Sequence, residues 1–86
     1  SSPTFSIVNE YTDEKGDAIY HFDFYRIEDP MEAFDMGVEE YFASGNYCFV
    51  EWAEKIPMFL PDEFALISIE SESDEKRIVA IKTINQ

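Results

Sequence analysis

Residues 47–52 read Tyr-Cys-Phe-Val-Glu-Trp, a near-continuous apolar run that ends in a carboxylate, Glu51. Such a run suits a central strand buried on both faces. A strand of that kind needs helices on both sides of its sheet, so this segment constrains the fold more than any other. A second stretch, Tyr20-His21-Phe22-Asp23-Phe24-Tyr25-Arg26, also carries a carboxylate on an apolar strand. Burying a carboxylate is costly unless a partner, often a metal ion, balances it. Two such strands in 86 residues point to a metal–phosphate or acid/base site.

The rest of the chain supplies the frame. Phe5 to Tyr11 reads as a first strand, and the polar turn Thr12-Asp13-Glu14-Lys15-Gly16-Asp17 leads into a second, Ala18 to Ile27. Alternation puts Ala18, Tyr20, Phe22 and Phe24 on one face and Ile19, His21, Asp23, Tyr25 and Ile27 on the other. The short link makes the pair a hairpin. Asp29-Pro30-Met31-Glu32 is a helix start with a capping-box pattern. That helix should end near Gly37, and a second should run from Val38 to Ala43 and stop at Ser44-Gly45-Asn46. Met31, Phe34, Val38, Tyr41 and Phe42 are the expected buried stripe. After the Tyr47–Trp52 strand, Ala53 to Leu60 reads as a short helical turn closed by Pro61. Phe64 to Ser71 and Arg77 to Ile84 read as a final antiparallel pair. The inventory is thus a mixed sheet of about five strands with few helices. It looks like part of a domain whose missing portion includes at least one helix.

Composition narrows the function. The chain is 45% hydrophobic and carries eight Phe and five Tyr, enough for a core and too rich for a disordered segment. Nineteen acidic residues face six basic ones, a net charge of −13. Direct nucleic-acid binding is not expected, because it needs clustered Lys and Arg, and an anionic membrane is disfavoured for the same reason. A basic protein partner, or a cation that lets ATP approach, fits better. The single cysteine, Cys48, reads as a buried structural thiol. No apolar segment approaches the about 18 residues of a membrane span, and no signal peptide opens the chain. A cytoplasmic protein is the expectation.

Asp23 and Glu51 are the sharpest pair of candidate site residues. Carboxylates at the ends of adjacent strands can hold Mg²⁺ and orient an attacking water. His21 shares a face with Asp23 and can serve as a proton shuttle, a ligand or a hydrogen-bonded structural residue. Arg26 suits a phosphate contact or an internal ion pair. Trp52 can stack on a base, fill a partner's pocket or fill the core. Thr4 offers a hydroxyl at the start of a strand, after Pro3, where it can sense a terminal phosphate. The sequence contains no Gly-x-x-x-x-Gly-Lys-Ser/Thr, and its three glycines stand far apart.

The order of short motifs is distinctive. Ser2-Pro3-Thr4-Phe5 is followed by Asn9-Glu10-Tyr11 and then His21-Phe22-Asp23-Phe24-Tyr25-Arg26. Gly37 with Glu40-Tyr41-Phe42 comes next, then Glu51-Trp52-Ala53-Glu54-Lys55-Ile56 and Leu60-Pro61. Together these resemble the TsaE family, also called YjeE, of P-loop ATPases needed to make threonylcarbamoyladenosine in tRNA. The resemblance implies a three-layer α/β nucleotide-binding domain whose strand–P-loop–helix segment precedes Ser2-Pro3-Thr4-Phe5. Residues 1–86 would then be a single incomplete domain, its C-terminal two-thirds.

The same resemblance implies roles. Thr4 falls in a switch-like segment near the γ-phosphate and metal. Asp23 faces the metal or the catalytic water, Glu51 is the Walker-B-type acid that helps bind Mg²⁺, and Trp52 lies near the site or docks a partner. Ala53 stands where the family usually has proline, which loosens the strand exit and removes no chemical group. Mg²⁺ and ATP are the implied cofactors, and the TsaD and TsaB proteins the implied partners. The chain alone is expected to be inactive for want of a phosphate cradle. An exposed sheet face leaves dimerisation or strand exchange open to it. Two other functions suit the residues: an acidic protein-interaction module, and a small metal-dependent hydrolase built on His21, Asp23 and Glu51.

Overall fold

The computed structural model describes residues 7–86. β1 (Val8–Thr12) and β2 (Ala18–Asp23) form the expected hairpin. Its turn is tied by Asp13, whose Oδ1 accepts the amides of Lys15 at 2.8 Å and Asp17 at 2.9 Å. The expected start of this strand at Phe5 lies outside the described residues.

β2 ends at Asp23, four residues before the expected Ile27. The cause is local. Asp23 Oδ1 accepts the Tyr25 amide at 3.0 Å, and the Ile27 amide donates to the Phe24 carbonyl at 3.1 Å. These bonds curl the backbone into a turn. Phe24 and Ile27 therefore both point into the core instead of to opposite faces.

Two short helices follow, α1 (Met31–Asp35) and α2 (Val38–Phe42). The capping box closes reciprocally: Asp29 Oδ1 accepts the Met31 amide at 2.9 Å, and Glu32 Oε2 accepts the amides of Asp29 at 2.9 Å and Glu28 at 3.0 Å. Gly37, at φ +86°, reverses the chain between the helices. That kink breaks the expected stripe. Ala33 and Val38 are fully buried, Tyr41 and Phe42 pack at the margin, and Met31 and Phe34 stay about half exposed. Phe34 instead stacks on Phe59 at 5.6 Å.

The helices carry the chain across to β3 (Tyr47–Glu51), which pairs in parallel with β2. The sheet order is β1-β2-β3. Its inner face packs on the helices, with Phe22 5.3 Å from Tyr41 and 5.6 Å from Phe42 between ring centroids, and Tyr20 4.7 Å from Tyr41. Phe22, Phe24, Ile27, Ala33, Val38 and Ile56 form the buried core. Full burial of a side chain such as Phe22 contributes about 2 kcal/mol.

The outer face differs from expectation. On β3, Cys48 and Val50 turn inward while Tyr47 is 75% and Phe49 50% exposed. β3 is thus covered on one face and lies at the sheet's edge among the described residues, not buried on both faces at its centre. Two 3₁₀ turns at Ala53–Lys55 and Pro57–Phe59 then lead to β4 (Glu63–Ser71) and β5 (Arg77–Asn85). These pair antiparallel from Glu63↔Asn85 to Ser71↔Arg77 as a separate two-stranded ribbon. The five strands therefore divide into three and two instead of one sheet. A local hairpin closes a shorter loop than a long-range strand pairing, at a modestly lower entropic cost.

Candidate metal and catalytic site

Parallel pairing of β2 with β3 fixes the site. In that register Asp23 lies opposite Glu51, and His21 opposite Phe49. All four share the outer face, because strand side chains alternate. Both carboxylates stand at the C-terminal ends of parallel strands, the edge where ligands bind in open α/β sheets. Both are solvent-exposed.

His21 reaches diagonally along this face. Its Nε2 lies 2.6 Å from Glu51 Oε2, a hydrogen-bonded pair in which the imidazole is 33% and the carboxylate 60% exposed. Asp23 engages the Tyr25 amide. Beyond the strand ends, the Phe24 amide donates to the Glu51 carbonyl at 3.2 Å and keeps the two exits together.

Trp52 follows Glu51 with φ +62°, a left-handed conformation that is costly for a large side chain. It turns the indole against Tyr25, with ring centroids 5.0 Å apart. Lys55 Nζ donates to the Tyr25 carbonyl at 2.7 Å and sits 5.6 Å from the Tyr25 ring centroid. Tyr25 and Lys55 thus belong to the site's margin, a role the sequence reading did not give them. Their signal was spacing: Asp23 to Tyr25 and Glu51 to Lys55 place both just past strand ends. Thr4 lies outside the described residues.

The donor set can be tested against a metal. Mg²⁺ takes oxygen ligands and is commonly held by one or two carboxylates together with substrate phosphates. Two exposed carboxylates opposite each other on adjacent strands fit that requirement. Among the described residues no group of three His, Cys, Asp or Glu side chains could hold a metal ion. An all-protein centre built on His21, Asp23 and Glu51 is therefore not what they form.

Comparison with known proteins places the chain in a family. The model of the family described as threonylcarbamoyl adenosine biosynthesis protein TsaE matches residues 1–79. The chain belongs to the TsaE family. It is 40% identical over 84 residues to the tRNA threonylcarbamoyladenosine biosynthesis protein TsaE of Haemophilus influenzae, covering 98% of this chain and 52% of that one. The TsaE of Bacillus subtilis is likewise 40% identical over 84 residues, covering 98% and 51%. A crystal structure of Bacillus subtilis YdiB superposes with a TM-score of 0.70 at 33% identity, covering 100% of this chain and 51% of that chain. The chain thus spans about half the length of the TsaE relatives it matches, less than the expected two-thirds. The mixed α/β architecture is shared with YdiB. Among the described residues, no helix is long and apolar enough to cross a membrane.

Proposed function

We propose that residues 1–86 are the C-terminal part of a TsaE-type nucleotide-binding domain with P-loop architecture, which in the full-length protein binds and hydrolyses Mg-ATP in support of tRNA threonylcarbamoyladenosine formation. The observation that carries this reading is the Asp23–Glu51 pair, matched in register at the C-terminal edge of parallel strands. An apolar strand ending in an acid is the usual second half of a nucleotide-hydrolysis site. When bound, Mg²⁺ supplies charge neutralisation at the phosphates.

Asp23 and Glu51 are the proposed metal-binding and catalytic carboxylates. Glu51 orients the attacking water, Thr4 contacts the terminal phosphate, and Trp52 with Tyr25 borders the nucleotide. The 86 residues contain no Gly-x-x-x-x-Gly-Lys-Ser/Thr, so turnover is assigned to the full-length protein and not to this chain alone. A net charge of −13 favours docking to basic protein surfaces over direct contact with tRNA. We assign TsaD and TsaB as the partners on the strength of the family.

The test is ATP hydrolysis by the full-length protein with Mg²⁺ and with EDTA, for the wild type and Glu51→Ala. Mg²⁺-dependent turnover that Glu51→Ala abolishes without unfolding the protein is the expected result. Unchanged turnover in the variant removes Glu51 from the mechanism. A second reading, an acidic docking module, draws on the exposed aromatic rings of Tyr25, Tyr47, Phe49 and Trp52. Indifference of the full-length protein to Mg-ATP would favour it.

A further inference from the structure

We propose that His21 is a positioning residue for Glu51: its ring holds the carboxylate in one rotamer at the strand ends, which sets the rate of hydrolysis and not the affinity for nucleotide. The inference rests on the ATPase reading and adds a residue to it. Three observations carry it. The first is the 2.6 Å contact between His21 Nε2 and Glu51 Oε2. The second is direction. Glu51 lies opposite Asp23, not opposite His21, so the imidazole leans forward by one pleat to reach the acid. The third is the difference in exposure. At 33%, the ring is the better-packed partner, and at 60% the carboxylate is the looser one.

A free Glu side chain samples many rotamers, and fixing it in one costs conformational entropy. A hydrogen bond to a packed ring carries that cost in advance of substrate binding, as supporting residues do for reactive groups elsewhere. The contact engages one carboxylate oxygen, and the other belongs to the same fixed plane. With Nε2–H donating to Glu51, the ring is held in one orientation. His21 itself touches neither phosphate nor water in this scheme.

The experiment uses the full-length protein and two readouts. The first is the ¹⁵N spectrum of the His21 ring without nucleotide or metal. An Nε2-bound proton in a hydrogen bond that disappears in Glu51→Ala is expected. A freely exchanging ring unaffected by Glu51→Ala overturns the proposal. The second is kinetic. His21→Phe, which keeps a ring and removes the donor, should lower kcat about 10- to 100-fold with KM for Mg-ATP nearly unchanged. His21→Gln, which restores an N–H donor, should recover most of that loss. A KM effect with kcat intact, or a glutamine no better than phenylalanine, also overturns it. If wild-type protein does not hydrolyse ATP, the ATPase reading fails, and the ring spectrum still decides whether His21 holds Glu51.

Discussion

Asp23 and Glu51 are register partners on adjacent parallel strands, and each ends its strand. Parallel strands cannot be joined by a tight turn, so this proximity depends on the α1–α2 crossover. The alignment of the carboxylates therefore depends on the helices that pack against the inner face of the sheet.

Asp23 has two separable jobs. Its carboxylate bends the chain through the Tyr25 amide, and in the proposed site its charge would serve the metal. Asp23→Asn keeps the acceptor, so stability should change by less than about 0.5 kcal/mol, while the Mg²⁺ concentration for half-maximal activity rises about tenfold or more. Asp23→Ala should lose about 1 kcal/mol besides. Urea unfolding and Mg²⁺ titration of the same variants separate the two effects.

Trp52 is the non-glycine residue with positive φ among those described. Asparagine tolerates this conformation and valine does not. Trp52→Asn should cost about 1 kcal/mol, for the lost ring contact with Tyr25. Trp52→Val should cost at least about 1 kcal/mol more. Equal stability of the two variants would mean that the backbone relaxes away from the left-handed region.

Gly37 makes the reversal between the helices at φ +86°. A Cβ there would lie 3.1 Å from Glu40 Oε1, the mobile end of a side chain that can move aside. Backbone strain is then the main cost. Gly37→Ala should destabilise by about 1–2 kcal/mol, and Gly37→Asn by less, as chemical denaturation would reveal.

Burial pushes the Cys48 thiol above its usual range, and the thiol also lies 3.5 Å from the Tyr41 carbonyl as a donor. The folded state thus holds the proton more tightly than the unfolded state. As pH rises above about 8.5, unfolded chains ionise first and stability falls; below that value the group has no pH effect. Cys48→Ser should flatten the alkaline decline. An unchanged slope from pH 8 to 10 would assign it to other groups.

Much of the frame was legible in the sequence because its signals are local. The capping box at Asp29 and Glu32, the reversal at Gly37 and the turn at residues 72–76 each depend on neighbours within a few positions. The Asp23–Glu51 pairing was legible as two apolar strands that each carry an acid, although Asp23 was expected within its strand and instead ends it. What failed was long-range. The curl after Asp23 turned Ile27 inward against the alternation rule, because one side-chain hydrogen bond outweighed the strand pattern. The outer face of β3 read as buried since Tyr47 and Phe49 are apolar, yet hydrophobicity alone does not say which surface covers a ring. The hold of His21 on Glu51 crosses 30 residues and required the register to become visible.

The ribbon of β4 and β5 has its own consequence. Every residue from 65 to 83 is exposed, including Ile67, Ile69, Val79 and Ile81. An isolated two-stranded hairpin is only marginally stable in water. Its amides should trade hydrogen for deuterium well before those of β2, through openings that leave the sheet and helices intact. The chain should thus keep two clocks, a slow one in the layer that aligns the carboxylates and a fast one in the ribbon.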